Sequence, residues 1–217
     1  MMPIEARGLH RFYRRGGSEV AALLDVSLTC RAGETVAVTG PSGSGKSTLL
    51  GLLAGLDDPD GGAVHIAGQR LSHRTPVAAA RIRARHIGVL TQSSGLLGHL
   101  SVLENVRFAA GLRVGSGPSP KELIDGLGLW AVRRSTTRTL SGGETARAGL
   151  AVALAGAPTV LLADEPTAEV SADEEHTVLD LLRRWRPHDG ATVIVTHSDT
   201  VAEQADRVVH LIDGRVA

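Results

Sequence analysis

Cysteine, aromatic residues and lysine are all scarce in this chain of 217 residues. The single cysteine, Cys30, excludes a disulfide within the chain and fits a reducing compartment. Aromatic residues make up only 2% of the sequence, so a base-stacking platform for single-stranded nucleic acid is not expected. Acidic and basic residues balance at 23 each, and no net field attracts nucleic acid or an anionic membrane. We therefore expect no nucleic-acid partner.

Long apolar runs are missing as well. The longest, from Ala148 to Ala163, contains glycine and proline and is too short to span a bilayer. The opening residues, Met1 to Arg15, are charged and lack the apolar core of a signal peptide. We therefore expect a soluble protein with no direct membrane insertion, in which any membrane role depends on a partner.

A complete phosphate-binding loop of the form GxxxxGK[ST] is the strongest motif that the chain contains. Its glycines allow a turn tight enough to point backbone N–H groups at a phosphate. Lys46 can neutralise phosphate oxygens, and the Ser47 hydroxyl can ligate Mg²⁺. Lys46 is also one of only two lysines beside 21 arginines, so it is not an ordinary basic filler. The loop residues and the residue that follows them are Gly40, Pro41, Ser42, Gly43, Ser44, Gly45, Lys46, Ser47 and Thr48.

Short apolar runs separated by helical segments predict an α/β fold with strands buried on both faces. The phosphate loop has the required frame, with a strand before it and an apolar helix, Ser47–Leu56, whose positive end faces the phosphates. A second helix is predicted at Glu174–Trp185. The runs that predict buried strands are Thr35–Thr39, His86–Leu90, Thr159–Ala163, Ala191–Thr196 and Val208–Ile212.

Two parts of the chain depart from this alternation of buried strands and helices. Ile4–Arg15 and Val64–Gly68 predict antiparallel strands, joined to their neighbours by glycine-rich turns such as Arg15-Gly16-Gly17. From Leu100 to about Leu154 the pattern is helical, interrupted by a loop at 114–120. We interpret the chain as a single domain, 1–217, with a nucleotide-binding core of 1–92 and 156–217. An inserted helical subdomain is predicted at 93–155.

Two adjacent carboxylates follow the apolar strand that ends at Ala163. Asp164 is positioned to hold Mg²⁺ through water, and Glu165 to polarise an attacking water in phosphoryl transfer. The alternative is a strand that exits into a solvated acidic turn. The presence of a phosphate loop on the same chain favours the catalytic interpretation.

The segment Leu140–Glu144 precedes a helix and contains Ser141, Gly142, Gly143 and Glu144. Ser141 and Glu144 form a capping-box pattern, which by itself predicts only a helix start. The capping box does not explain two consecutive glycines in a first helical turn, where glycine is unfavourable. Bare N–H groups at the positive end of a helix suit a second anion site. Because Lys46 already covers the phosphates of this chain, we expect that site to serve another subunit.

With these motifs in this order, the chain resembles the ATP-binding-cassette (ABC) ATPases. The resemblance runs from about Ile4 to Val216 and implies a P-loop NTPase of ABC ATPase type. That fold has a mixed-sheet core with an antiparallel β part and an inserted helical subdomain. Details around Gly55-Leu56-Asp57 and Leu103–Val106 resemble the subgroup that serves lipoprotein release, macrolide export and antimicrobial-peptide export. The motifs are Gly40–Ser47 (Walker A), Gln92 (Q-loop), Leu140–Glu144 (signature), Leu162–Pro166 (Walker B) and His197 (switch histidine).

The resemblance implies a role for each motif residue, with ATP and Mg²⁺ as cofactors. Tyr13 would stack on adenine, and Gln92 would contact Mg²⁺ or water and report the nucleotide state to a membrane partner. His197 would reach the γ-phosphate and act in catalysis together with Glu165 and Lys46. The signature residues Ser141, Gly142, Gly143 and Glu144 would complete the ATP site of an opposing subunit in a head-to-tail dimer.

Two positions depart from the family pattern. Ser171 stands where the loop after Walker B usually carries aspartate, and Val152 stands where a second arginine is common in the signature helix. Neither position belongs to the phosphate loop. These departures concern the coupling between two subunits and leave the prediction of nucleotide binding intact.

The sequence therefore predicts the ATP-hydrolysing subunit of an ABC transporter, a homodimer or one of a pair of ABC subunits. ATP-driven dimerisation would power a separate integral membrane permease, which would hold the cytoplasmic protein at the inner face of the membrane. One alternative is a non-transport ABC ATPase coupled to a membrane cell-division or signalling partner. Another is an ATP-binding clamp with impaired hydrolysis, against which the intact Lys46, Asp164, Glu165 and His197 argue.

Overall fold

The computed structural model describes residues 2–15, 18–92, 94–112 and 117–217. The strands are β1 (Ile4–Arg15), β2 (Ser18–Cys30), β3 (Thr35–Thr39), β4 (Gly61–Ile66), β5 (Gln69–Arg70), β6 (Ile87–Leu90), β7 (Val160–Asp164), β8 (Ala191–Val195), β9 (Arg207–Ile212) and β10 (Arg215–Val216). The helices are α1 (Lys46–Leu53), α2 (Pro76–His86), α3 (Val102–Gly111), α4 (Pro120–Gly126), α5 (Gly142–Leu154), α6 (Ala172–Trp185) and α7 (Asp199–Glu203).

Within the described residues, the strands form two sheets. One is antiparallel, with the strand order β2-β1-β4-β5, and the other has the order β10-β9-β3-β8-β7-β6. In the second sheet β9, β3, β8, β7 and β6 are mutually parallel, and β10 is antiparallel to β9. The carboxyl ends of the parallel strands therefore lie at one edge, where α/β proteins bind their ligands. The expected mixed α/β fold with an antiparallel part is confirmed.

Apolar side chains on both faces of the parallel sheet build two hydrophobic clusters. On one face, residues of β3, β7 and β8 pack with α1 and the antiparallel sheet. On the other face, residues of β6 and β7 pack with α3, α4, α5 and α6. Burial on both sides explains why these strands appear in the sequence as continuous apolar runs.

The one cysteine, Cys30, lies in the first cluster, and burial raises the pKa of its thiol to about 12, so it is not a nucleophile at neutral pH.

The predicted buried strands coincide with β3, β6, β7, β8 and β9, with ends displaced by at most one residue. His86, predicted as a strand residue, instead ends α2, a helix that the sequence pattern missed. Thr75 caps this helix by accepting the N–H of Ala78, and Pro76 stands at its first position. The Thr-Pro pair was the available signal, but Val77 and Ile82 are the only large apolar side chains of the helix and do not define a helical period.

Two other predicted boundaries, one of a strand and one of a helix, differ from the structure. In both cases glycine permits a backbone geometry that no periodic pattern of apolar residues reveals. The strand predicted at Val64–Gly68 is β4, which begins at Gly61. A Cβ atom on Gly62 would lie 2.3 Å from the carbonyl oxygen of Gly8, so only glycine lets β4 approach β1 there. The helix predicted at Ser47–Leu56 ends at Leu53, shortly before Gly55 turns the chain with φ of +62°.

The middle of the chain is helical, as predicted, with α3, α4 and α5 between β6 and β7. The predicted turn at Gly16-Gly17, and residues 114–116 of the loop predicted at 114–120, lie outside the described residues. The division into a core of 1–92 and 156–217 and a subdomain of 93–155 stays a prediction. No helix in the described part of the chain is both long and apolar enough to cross a membrane.

Candidate nucleotide-binding site

A cavity of about 720 Å³ lies at the carboxyl edge of the parallel sheet. The loop after β3 forms its floor, and the segments after β6, β7 and β8 form its walls. The predicted site residues that line it are Tyr13, Ser42, Gly43, Gly45, Lys46, Ser47, Thr48, Gln92, Asp164, Glu165 and His197. Gly40, Pro41 and Ser44 belong to the same loop but do not line the cavity.

The phosphate loop has the backbone conformation that its glycines predict. Gly40 and Gly45 have φ angles of +144° and +102°, which other residues rarely adopt. A Cβ atom on Gly40 would lie 2.0 Å from the carbonyl oxygen of Leu211, and one on Gly45 would lie 2.3 Å from that of Ala22. Both glycines are therefore required by conformation and by close packing.

Lys46 begins α1 and is only 6% exposed. Its ammonium group donates hydrogen bonds to the carbonyl oxygens of Gly40 (2.8 Å) and Pro41 (2.9 Å), so the side chain curls back along the loop. Among the described residues, no carboxylate lies within ion-pair distance of Lys46. An ammonium group that is held on neutral carbonyl oxygens at the edge of a cavity can exchange them for an anion, to which its hydrogen bonds are stronger.

Asp164 ends β7 and faces the phosphate loop. Burial raises the pKa of its carboxyl group, as does the charge of the neighbouring Glu165. Lys46, a hydrogen bond with the Ser47 hydroxyl and His197 act in the opposite direction. A half-buried carboxylate beside a second one gains from a divalent cation. Together with the Ser47 hydroxyl and the Gln92 amide, it supplies the oxygen donors that Mg²⁺ prefers.

Glu165 and His197 contact each other across the cavity wall. The Glu165 Oε2 atom accepts the backbone N–H of His197 at 3.2 Å, and Oε1 lies 3.4 Å from His197 Nε2. Glu165 Oε1 is buried and has no hydrogen-bond partner within the described residues. Glu165 also has φ of +47°, an uncommon conformation for a residue with a side chain. The Glu165 side chain thus lines the cavity with one carboxylate oxygen that is buried beside His197 and not hydrogen-bonded to any described residue.

Tyr13 lies on β1, so the antiparallel sheet supplies one side of the cavity. Its hydroxyl donates to Asp57 Oδ2 at 3.0 Å, and the Arg11 guanidinium lies 4.7 Å from the ring centroid. Arg11 forms ion pairs with Asp57 (2.9 Å) and Asp60 (3.2 Å). The ring is thus held at its hydroxyl and covered by a cation, which leaves a fixed aromatic surface at the cavity edge.

The signature segment lies outside this cavity. Ser141 and Glu144 form the predicted capping box at the start of α5. None of the four signature residues from Ser141 to Glu144 lines the cavity that contains Lys46. The structure adds a packing reason for the two glycines, which the capping box does not explain. A Cβ atom on Gly142 would lie 1.8 Å from the carbonyl oxygen of Glu169, and one on Gly143 would lie 2.6 Å from the Glu174 carboxylate.

Comparison with known proteins decides the family. A family model described as ABC transporter matches residues 23–168. The chain is 40% identical to the ABC transporter ATP-binding protein YbbA of Escherichia coli (strain K12), over 98% of this chain and 96% of that protein. The chain belongs to the ABC transporter family.

Relatives of this ABC cassette include longer proteins. It is 40% identical to the macrolide export ATP-binding/permease protein MacB of Rhodopirellula baltica, over 99% of this chain but 32% of that protein. The chain thus spans about a third of the length of the MacB proteins that it matches. Among solved structures, the dimeric cassette MJ0796 in a post-hydrolysis state bound to ADP and Pi superposes with a TM-score of 0.89. The identity is 30%, and the match covers 98% of this chain and 96% of that chain, so the fold is that of an ABC ATPase.

Sequence reasoning missed part of the cassette's cavity. Thr167, Glu175 and Ser198 line it beside the predicted residues. Ser198 was detectable as the neighbour of His197. Glu175 carried no signal, because the direction of its side chain depends on how α6 packs. Ser171, the departure in the loop after Walker B, is the N-cap of α6 and makes no side-chain capping hydrogen bond.

Proposed function

We propose that this cassette is the ATP-hydrolysing subunit of an ABC transporter, and that ATP drives its dimerisation to power a separate membrane permease. The observation that carries the proposal is the convergence of Lys46, Asp164, Glu165 and His197 on one cavity, with the signature segment outside it. A cavity that lacks the signature residues of its own subunit can receive them from a second subunit. Residues that act on phosphate and water are all present, which supports hydrolysis over an inactive clamp.

In the proposed mechanism, the N–H groups of the phosphate loop and Lys46 bind the β- and γ-phosphates. Ser47, Asp164 and Gln92 would hold Mg²⁺, which supplies positive charge for the phosphate oxygens. Glu165 would accept a hydrogen bond from the attacking water through its carboxylate, and His197 would face the γ-phosphate. The ammonium group of Lys46 would exchange its two carbonyl acceptors, on Gly40 and Pro41, for phosphate oxygens.

We propose that the adenine base of ATP stacks on the Tyr13 ring. Replacing Tyr13 should then weaken binding of the base and leave binding of the phosphates unchanged. Tyr13→Ala is expected to raise KM for ATP about tenfold, because base–aromatic stacking is worth about 1–3 kcal/mol. Tyr13→Phe keeps the ring and loses only the Asp57 hydrogen bond, so its KM should stay close to the wild-type value. Steady-state ATPase kinetics measure both. Inhibition by inorganic tripolyphosphate, which has no base, should be the same in all three proteins; a parallel loss there would contradict the assignment.

Dimerisation tests the proposed role of the signature segment. With ATP and Mg²⁺, a Glu165→Gln variant is expected to form a dimer, because ATP stays bound between the Lys46 cavity of one subunit and the Ser141–Glu144 segment of the other. With ADP it should be a monomer. Size-exclusion chromatography with light scattering measures the mass in each state. An oligomeric state that does not depend on the nucleotide would contradict the proposal.

The permease and the place of the protein in the cell follow from the same proposal. We propose a homodimer or a pair of ABC subunits, bound in the cytoplasm to the inner face of the membrane through an integral partner. The support is that relatives named as ABC transporter and export ATP-binding proteins match nearly all of this chain. Affinity purification from solubilised membranes should recover a polytopic permease. Recovery of a cell-division or signalling protein instead would favour the non-transport alternative.

A further inference from the structure

The first turn of α6 carries three consecutive acidic residues that face different surroundings. Asp173 is exposed, and Glu174 forms an ion pair with Arg147 of α5 at 3.2 Å. Glu175 instead lies beside the nucleotide cavity and lines it. Neighbouring residues on a helix point about 100° apart, so one turn can serve two different elements. The third carboxylate is therefore available to the active site.

One oxygen of Glu175 joins two loops of the site. Its Oε1 atom accepts a hydrogen bond from the Thr167 hydroxyl at 3.1 Å and another from the Ser198 hydroxyl at 3.3 Å. Thr167 lies two residues after Glu165 and is only 8% exposed. Ser198 directly follows His197. The loops that carry the two proposed catalytic side chains are thus connected through a single carboxylate.

Other hydrogen bonds also hold these loops near the reacting groups. The His197 backbone N–H donates to Glu165 Oε2 at 3.2 Å, and the Ser198 backbone N–H donates to the Thr196 hydroxyl at 3.0 Å. The Glu165 backbone N–H donates to the carbonyl oxygen of Val195 in β8 at 2.9 Å. Glu165 itself has the uncommon left-handed backbone conformation. Ser198 is the N-cap of the short helix α7, whose Val201 N–H it accepts at 3.4 Å. A small rotation of either loop would change the spacing between Glu165 and His197. Catalysis of phosphoryl transfer depends on positioning, so such a change lowers the rate.

We propose that Glu175 is a positioning residue that binds the hydroxyls of Thr167 and Ser198 and so supports the direct hydrogen bond between His197 and Glu165 in fixing the distance between these two side chains. The inference rests on the proposed function, since it assumes that Glu165 and His197 act on ATP. Glu175 acts through these two hydroxyls and touches no reacting atom. Replacing Glu175 should therefore change kcat, whereas ATP affinity is set by the phosphate loop and Tyr13.

Two substitutions of Glu175 separate positioning from charge and packing. Glu175→Leu removes both acceptors and is expected to lower kcat about tenfold, the scale of one or two hydrogen bonds, with KM unchanged. Glu175→Gln keeps an oxygen that can accept both hydroxyls, so it should restore kcat to within about twofold of wild type. Asp173→Asn, in the same helical turn but with an exposed side chain, should leave both constants unchanged.

The outcomes are distinct. A wild-type kcat in Glu175→Leu, or an equal loss in Glu175→Gln and Glu175→Leu, would overturn the positioning role. If Glu175→Leu does not fold, Thr167→Val and Ser198→Ala each remove one donor and should each lower kcat about threefold. Wild-type rates in both would again overturn it. Glu165→Gln is measured beside them: full turnover in that variant contradicts the proposed function, whereas its inactivity combined with a fully active Glu175→Leu contradicts only the inference about Glu175.

Discussion

Replacing Glu165 with glutamine is expected to lower ATP turnover at least ~100-fold, the usual scale for loss of a general base. Glutamine has nearly the same shape, so the hydrogen bond from the His197 N–H to Oε2 can persist. The charge of the side chain changes, however, because a carboxylate can polarise water as a general base and an amide cannot. Phosphate release at saturating ATP and Mg²⁺ measures the change.

ATP affinity should survive this substitution, because among the described residues no hydrogen bond or ion pair joins Glu165 to the phosphate loop. Binding of a fluorescent ATP analogue should give a dissociation constant within about threefold of wild type. Glu203→Gln, an exposed carboxylate at the end of α7, is the matched control and should keep full activity. Turnover by Glu165→Gln near the wild-type rate would remove Glu165 from the mechanism.

The parts of the site that the sequence predicts are those in which chemistry and local structure share a few consecutive residues. The phosphate loop needs its glycines, Lys46 and Ser47 in a fixed order between a strand and a helix, and that order is visible in the sequence. Asp164 and His197 each come at or just after the end of a buried strand of the parallel sheet, and His197 gained its predicted role from the resemblance to ABC ATPases. The carboxyl ends of such strands meet at one edge, so strand prediction alone brings these side chains together.

The remaining parts depend on contacts between distant segments. The fixed ring of Tyr13 requires Asp57, which comes from the turn after α1, 44 residues away. The Glu175 carboxylate reaches Thr167 and Ser198 only because α6 packs beside β7 and β8. No periodic pattern encodes these approaches. These contacts therefore cannot be predicted from the sequence, although every residue involved lies in or beside an element that the sequence largely predicts.

The signature glycines show how a correct pattern can receive an incomplete explanation. Anion binding is one reason for bare N–H groups at the start of α5, and the proposed dimer uses them in that way. The structure adds a reason within the subunit, because Gly142 lies against Glu169 and Gly143 against Glu174. Glu174 also pairs with Arg147 of α5. The signature segment is therefore fixed to the loop and helix that follow Walker B.

Lys46→Ala is expected to weaken ATP binding about 10- to 100-fold. A hydrogen bond to a charged group is worth about 1.5–3 kcal/mol, and each 1.4 kcal/mol corresponds to a factor of ten in affinity. In the structure Lys46 is 6% exposed and its ammonium group is held by two carbonyl groups, so alanine leaves no other lysine or arginine among the described residues that line the cavity. Lys46→Arg should not restore affinity, because a planar guanidinium does not fit the same curled path.

The second lysine of the chain supplies the control for this prediction. Lys121 lies on α4 with a side chain 75% exposed, pairs with Asp125 at 2.7 Å, and does not line the nucleotide cavity. Lys121→Ala should therefore bind ATP with wild-type affinity. Titration calorimetry with ATP and Mg²⁺ compares the variants, and circular dichroism checks that each is folded. A folded Lys46→Ala protein that binds ATP as tightly as Lys121→Ala would show that the phosphates are not bound at the Gly40–Ser47 loop, and with it the proposed site would fail.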